Sequence, residues 1–138
     1  MCHGVLLLGA CAAANAQETA RLALTINGID DISGTLAIAV FATEDSFESR
    51  SNQVAEARFA VRARSMTWTF ELAAPASYAI IVFQDTNGNG ELDLSRLGIP
   101  QEPYGFSNNA RSAFGPPGYR KARIEFDAGD LTHEIDLR

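Results

Sequence analysis

Asp85-Thr86-Asn87-Gly88-Asn89-Gly90-Glu91-Leu92-Asp93 is the stretch whose residue types and spacing could do chemistry. Oxygen-bearing side chains recur at its first, third, fifth and ninth positions, with Gly at the sixth. That spacing wraps a tight loop around a hard cation: Gly permits the sharp turn and a backbone carbonyl serves at the seventh position. The expected ligands of Ca²⁺ are therefore Asp85, Asn87, Asn89, the Glu91 carbonyl and Asp93, with Glu102 able to reach back as a further one. An EF-hand needs a bidentate Glu at the twelfth place, which here is Arg96, and the flanks pattern as strand rather than helix. The loop is thus the shortened D-x-N-x-N-G-x-x-D form found in bacterial extracellular modules. A plain turn is the competing reading, because Asn-Gly pairs tolerate positive φ and Asp85 could simply cap the turn.

Two further groups of residues bear on chemistry. Tyr104, Phe106, Asn108 and Asn109 combine aromatic rings with amides, which suits recognition of a sugar or peptide; loop anchoring is the alternative. Arg111 and Arg120 could add anion contacts, with solvated surface residues as the plainer reading. His133 shares a strand face with Leu131, Ile135 and Leu137, so a satisfied, partly buried His is the simplest reading. No G-x-S-x-G elbow, H-E-x-x-H pair or P-loop occurs, and no catalytic constellation is legible. Asp85, Asp93 and Glu102 could pair for glycoside hydrolysis, but the Asn-Gly context favours metal binding.

The elements that must position these groups read as short strands. Leu22, Leu24 and Ile26 alternate with polar or small residues up to Asn27-Gly28. Met66, Trp68, Phe70 and Leu72 alternate strictly, as do Leu131, His133, Ile135 and Leu137; Phe59 with Val61 and Ile124 with Phe126 give shorter versions. Thr35 to Phe41 and Tyr78 to Phe83 are continuous apolar runs, which places them centrally in a sheet. Ser51 to Arg58 reads as one short helix or turn. The expectation is an all-β, antiparallel sandwich of about seven strands. The interval from Asp85 to Arg120 lacks a strand pattern and is expected to be one long ordered loop, anchored by apolar residues such as Leu92, Leu94, Leu97, Ile99, Phe106, Phe114 and Tyr119.

The chain has 138 residues and a net charge of −6, which suits one domain and argues against a nucleic-acid partner. Lys121 is its single lysine among 11 basic residues, and the arginines are scattered. Val5 to Ala14 is apolar and precedes Ala14-Asn15-Ala16, an A-x-A cleavage signature, although no Lys or Arg stands before it. Residues 1–16 are read as a signal-like export segment and 17–138 as the domain, with cleavage expected before Gln17. Leu8-Gly9-Ala10-Cys11 loosely matches a lipobox, so a lipid anchor at Cys11 is the alternative. Both readings lead out of the cytoplasm, to a periplasmic, secreted or membrane-anchored protein. Cys2 and Cys11 fall in that segment, which leaves residues 17–138 without a thiol. The apolar run is too short to span a bilayer.

Four ordered motifs carry a family resemblance. Phe83-Gln84-Asp85-Thr86-Asn87-Gly88-Asn89-Gly90-Glu91-Leu92-Asp93, Gly98-Ile99-Pro100, Tyr104 through Ala110, and Phe114-Gly115-Pro116-Pro117 together resemble the DUF2141 family of uncharacterised bacterial exported proteins. The resemblance implies an Ig-like or transthyretin-like sandwich and an exported location, and implies no established activity. Gln84 stands where the family commonly has His, and Pro103 where it has Gly.

The expected function is non-catalytic: an exported β-sandwich that binds an envelope protein or glycan, with its long loop ordered by Ca²⁺. A purely structural or carrier domain with no ion site is the alternative, and a hydrolase using His133 is a third reading.

Overall fold

The computed structural model describes residues 18–127 and 129–138; the signal-like segment, the Ala16–Gln17 junction and the Cys11 anchor lie outside these. Two sheets face each other. Strands β1 (Glu18–Asn27), β4 (Met66–Ala74) and β8 (Leu131–Asp136) form one in the order β4-β1-β8. The other follows β3-β2-β5-β6, where β2 is Thr35–Phe41, β3 is Ala55–Ala60, β5 is Ala76–Asp85 and β6 is Tyr104–Phe106; β7 (Ile124–Phe126) also pairs with β5.

The alternating strands bury one face, as their period-2 pattern requires. Leu22, Leu24 and Ile26 of β1 and Phe70 and Leu72 of β4 meet Leu36, Ile38, Val40, Ile80 and Val82 of the second sheet in one apolar core. Strands β2 and β5 are continuous because their other face is covered as well. Phe41 and Ala79 point away from the first sheet into a second cluster with Phe47, Phe106, Tyr119 and Ala122. The cover is made by two short helices, α1 (Glu44–Ser49) and α2 (Tyr119–Ala122), with Phe106 of β6 in the same cluster.

Several expectations need correcting. Among the described residues there are eight strands where about seven were expected, and the sheets are not wholly antiparallel, since β1 runs parallel to β8 with Leu24 opposite His133. The helix is not at Ser51–Arg58. It starts earlier, where Thr43 Oγ1 accepts the Ser46 N–H at 3.1 Å and Glu44 and Asp45 face the positive end of the helix. Residues 55–60 instead pair along β2. The 85–120 interval is not one loop either: it holds β6, a 3-10 turn at Ser107–Asn109, α2, and a Leu94–Pro100 bridge.

Gly34 marks where β2 meets the end of β5 that leads into the 85–93 loop. Its φ is +67°, and a Cβ there would lie 2.2 Å from the Asp85 carbonyl oxygen. Only glycine lets the two backbones approach this closely.

Candidate functional site

Ile81, Phe83 and Asp85 alternate onto the outer face of β5, so the 85–93 loop springs from the face that α1 and α2 cover rather than from the inter-sheet core. Asp85 is buried at 3% exposure, and its two carboxylate oxygens accept the Gly88 and Gly90 N–H groups at 2.9 and 2.8 Å. Both glycines have positive φ. Asn87 Oδ1 accepts the Asn89 N–H and Asn89 Oδ1 accepts the Glu91 N–H, two successive side-chain-closed turns. The amide nitrogens of Asn87 and Asn89 both donate to Asp93, one to each carboxylate oxygen. Arg58 of β3 donates to the Gly90 carbonyl at 3.1 Å and lies 5.9 Å from the Phe83 ring centroid.

The loop therefore gathers Asn87 and Asn89 on Asp93, while the Asp85 carboxylate is bonded to the Gly88 and Gly90 N–H groups and Glu91 is exposed. A cation at Asp93 would replace the two amide donors, and Asn87 and Asn89 would then rotate to offer oxygen instead of nitrogen. Glu102 is placed differently from a ligand. It is buried behind the loop, where Oε1 accepts the Thr86 N–H at 2.9 Å and Oε2 the Asp93 N–H at 3.2 Å. Among the described residues no group of three or more His, Cys, Asp or Glu side chains clusters as a metal site would. Any ion held here would rest on two carboxylates, amides and a carbonyl.

The aromatic and amide stretch serves the cover of the sheet. Phe106 is buried against Phe47, with ring centroids 6.2 Å apart, and Tyr104 packs edge-on to Phe106. Asn108 and Asn109 both have positive φ. Asn108 Nδ2 donates to the Arg123 carbonyl at 2.7 Å, and Asn109 Oδ1 accepts the Asp136 N–H at 2.8 Å. His133 Nε2 accepts the Asn108 N–H at 3.0 Å, so its lone pair is engaged by backbone. Burial pulls the imidazole below its ordinary pKa, partly opposed by Glu134, which favours the neutral ring that this bond needs.

A groove that sequence reasoning missed lies beside these residues. It has a volume of about 610 Å³. Ile81, Tyr104 and Phe106 line it together with Leu94, Leu97 and Ile99 from the segment after the 85–93 loop. That segment is a small hairpin: Leu94 bridges Pro100, Gln101 N–H donates to the Asp93 carbonyl at 2.7 Å, and Ser95 Oγ accepts the Leu97 and Ile99 N–H groups. Leu94, Leu97, Ile99 and Phe114, expected as buried anchors, are exposed; Leu97 is 86% and Phe114 95% exposed. The anchors are Phe106 and Tyr119. The available signal was the density of apolar residues around Gly98 and Gly115, more than a turn needs.

Arg50, Arg111 and Arg138 also line the groove, with Asp136. Arg50 closes α1 in the left-handed conformation and lays its guanidinium over Phe47, 4.6 Å from the centroid. Burial lowers its pKa, with Glu48 opposing.

No helix among the described residues is long and apolar enough to cross a membrane. A family model described as "Uncharacterized protein conserved in bacteria (DUF2141)" matches residues 24–134. No curated protein and no solved structure matches the chain.

Proposed function

The chain belongs to the DUF2141 family, and on that premise we propose that it is an exported, non-catalytic binding module of the cell envelope whose binding groove has one wall ordered by Ca²⁺. The observation that carries this reading is the exposed apolar wall of Leu94, Leu97 and Ile99 along a groove of about 610 Å³. Volumes of roughly 300–1,000 Å³ are typical of small-molecule sites. The ion loop feeds directly into that wall, since Asp93 ends the loop and starts the hairpin. A cation drawn in by Asp85 and Asp93 would fix the hairpin's base.

The strand orders support the transthyretin-like form of sandwich over the Ig-like one. In an Ig sandwich the first two strands share a sheet, whereas here β1 and β2 lie in different sheets. Binding rather than turnover is supported by His133, whose lone pair is taken by Asn108. The apolar segment before Ala16 supports export to the periplasm or beyond. Intact-mass analysis of an extracytoplasmic fraction tests this: a chain starting at Gln17, or lipidated at Cys11, is expected, and a full-length cytoplasmic chain contradicts it.

One observation favours a second reading, a structural or carrier domain in which 85–93 is only a turn. Asp85 is satisfied by two backbone N–H groups and Asp93 by two amides, so the loop closes without an ion. Glycan and peptide arrays probed with and without Ca²⁺ separate the two. Ca²⁺-dependent capture supports the binding module; silence in both conditions supports the structural domain.

A further inference from the structure

We propose that the groove takes a single-chain amphiphilic anion, an acyl body carrying one carboxylate. The inference rests on the groove being the binding site and names the chemistry it would recognise. Its two sides differ in character. One is the hairpin wall of Leu94, Leu97 and Ile99, apolar and exposed, which loses water contact when an acyl chain lies along it.

The other side gathers cations around Phe106–Ala110. Arg50 Cζ stands 6.0 Å from the Phe106 ring centroid, Arg138 Nη2 reaches the Asn109 carbonyl at 3.5 Å, and Arg111 follows Ala110 in the chain. None of the three is in an ion pair among the described residues, where the pairs are Arg21–Glu71 and Arg123–Glu125. Three guanidiniums line the groove with one acidic side chain, Asp136, while Glu48 acts on Arg50 from beside it, which leaves a local excess of positive charge in a chain of net charge −6. That local reversal of sign is what an anionic headgroup requires, and Arg presents the planar fork that suits a carboxylate. Arg50 already spends its stacking face on Phe47, so Arg111 and Arg138 are the freer headgroup contacts.

The test is calorimetric titration of the chain in Ca²⁺ buffer with decanoate, with decyl maltoside of the same chain length but no charge, and with anionic phospholipid vesicles, both amphiphiles below micelle-forming concentrations. Saturable binding of one decanoate per chain, tighter than decyl maltoside, is expected. Leu97→Asp, at a position too exposed to disturb folding, should weaken both amphiphiles. The pair Arg111→Gln and Arg138→Gln should weaken decanoate by about tenfold or more, the worth of a charged hydrogen bond, and leave decyl maltoside unchanged. Equal binding of the two amphiphiles, no saturable binding, or indifference to these substitutions would overturn the proposal. So would binding to vesicles without binding of free decanoate, which would make the patch a membrane-facing surface. Array partners or a Ca²⁺-dependent melting shift found alongside failed decanoate binding would remove the ligand class and leave the binding module standing.

Discussion

Glu102 closes the 85–93 loop by holding Thr86: its Oε1 accepts the Thr86 backbone N–H at 2.9 Å and the Thr86 hydroxyl at 3.2 Å. The other oxygen accepts the Asp93 N–H, so one buried carboxylate pins both ends of the loop. Glu102→Ala is expected to cost about 1–3 kcal/mol in urea unfolding, because backbone donors lose a charged acceptor in a partly buried place. Glu102→Gln should cost less, since it keeps one acceptor oxygen. A Glu102→Ala chain as stable as the parent would contradict the clamp.

The His133 bond to Asn108 makes stability depend on pH. Burial holds the folded imidazole below its ordinary 6.5. As pH falls the unfolded chain therefore takes up a proton first, so the stability is present above about 6.5 and is lost as pH falls through the folded value. Melting temperatures recorded between about pH 8 and pH 5 should fall more steeply for the parent than for His133→Gln, which keeps an acceptor but does not titrate. Parallel curves would show that the ring contributes nothing to this window.

The sandwich's open edge is closed by a stacked pair. Phe59 on β3 and Trp68 on β4 lie at the ends of their respective sheets, with centroids 4.8 Å apart and planes 8° from parallel. A double-mutant cycle with Phe59→Leu and Trp68→Leu should give a coupling of about 0.5–1.5 kcal/mol. Additive single effects would contradict a direct contribution of the stack.

What was legible in the sequence follows burial. Strands β1 and β4 showed because one face of each is buried and period 2 survives. Strands β2 and β5 showed as continuous runs because both faces are covered. Helix α1 has six residues, too few for a helical period to emerge, although Thr43-Glu44-Asp45 was a readable start signal. Strand β7 showed in the alternation of Ile124 with Phe126, whereas β6 has three residues and owes its existence to pairing with β5, a tertiary cause. The parallel pairing of β1 with β8 joins chain ends that local pattern cannot relate.

The candidate site was legible only where spacing carries it. The convergence of Asn87, Asn89 and Asp93 was in the motif. The roles of Asn108 and Asn109 were not, because their partners at Arg123 and Asp136 are set by the fold. Gln84 was readable only as a departure from the family pattern. It is fully buried, and its Nε2 donates to the Asp31 and Ser33 carbonyls at 2.7 and 2.9 Å. Two acceptors on that side fix which end of the amide faces them.

The most direct measurement is the melting temperature in millimolar Ca²⁺ and in EDTA. With roughly 1 mM Ca²⁺ and a dissociation constant near 10⁻⁴ M, as low-charge extracellular sites have, mass action stabilises the fold by about 1.4 kcal/mol. For a domain of this size the expected rise is about 3–6 °C. A smaller rise is expected in Mg²⁺, which demands a tighter octahedron, and a weakened rise in Asp93→Ala. Asp93→Ala is a cleaner probe than Asp85→Ala, because Asp85 also holds the Gly88 and Gly90 N–H groups and its loss would lower stability with or without the ion. Equal melting temperatures in Ca²⁺ and EDTA would contradict the account and leave the 85–93 loop as a turn.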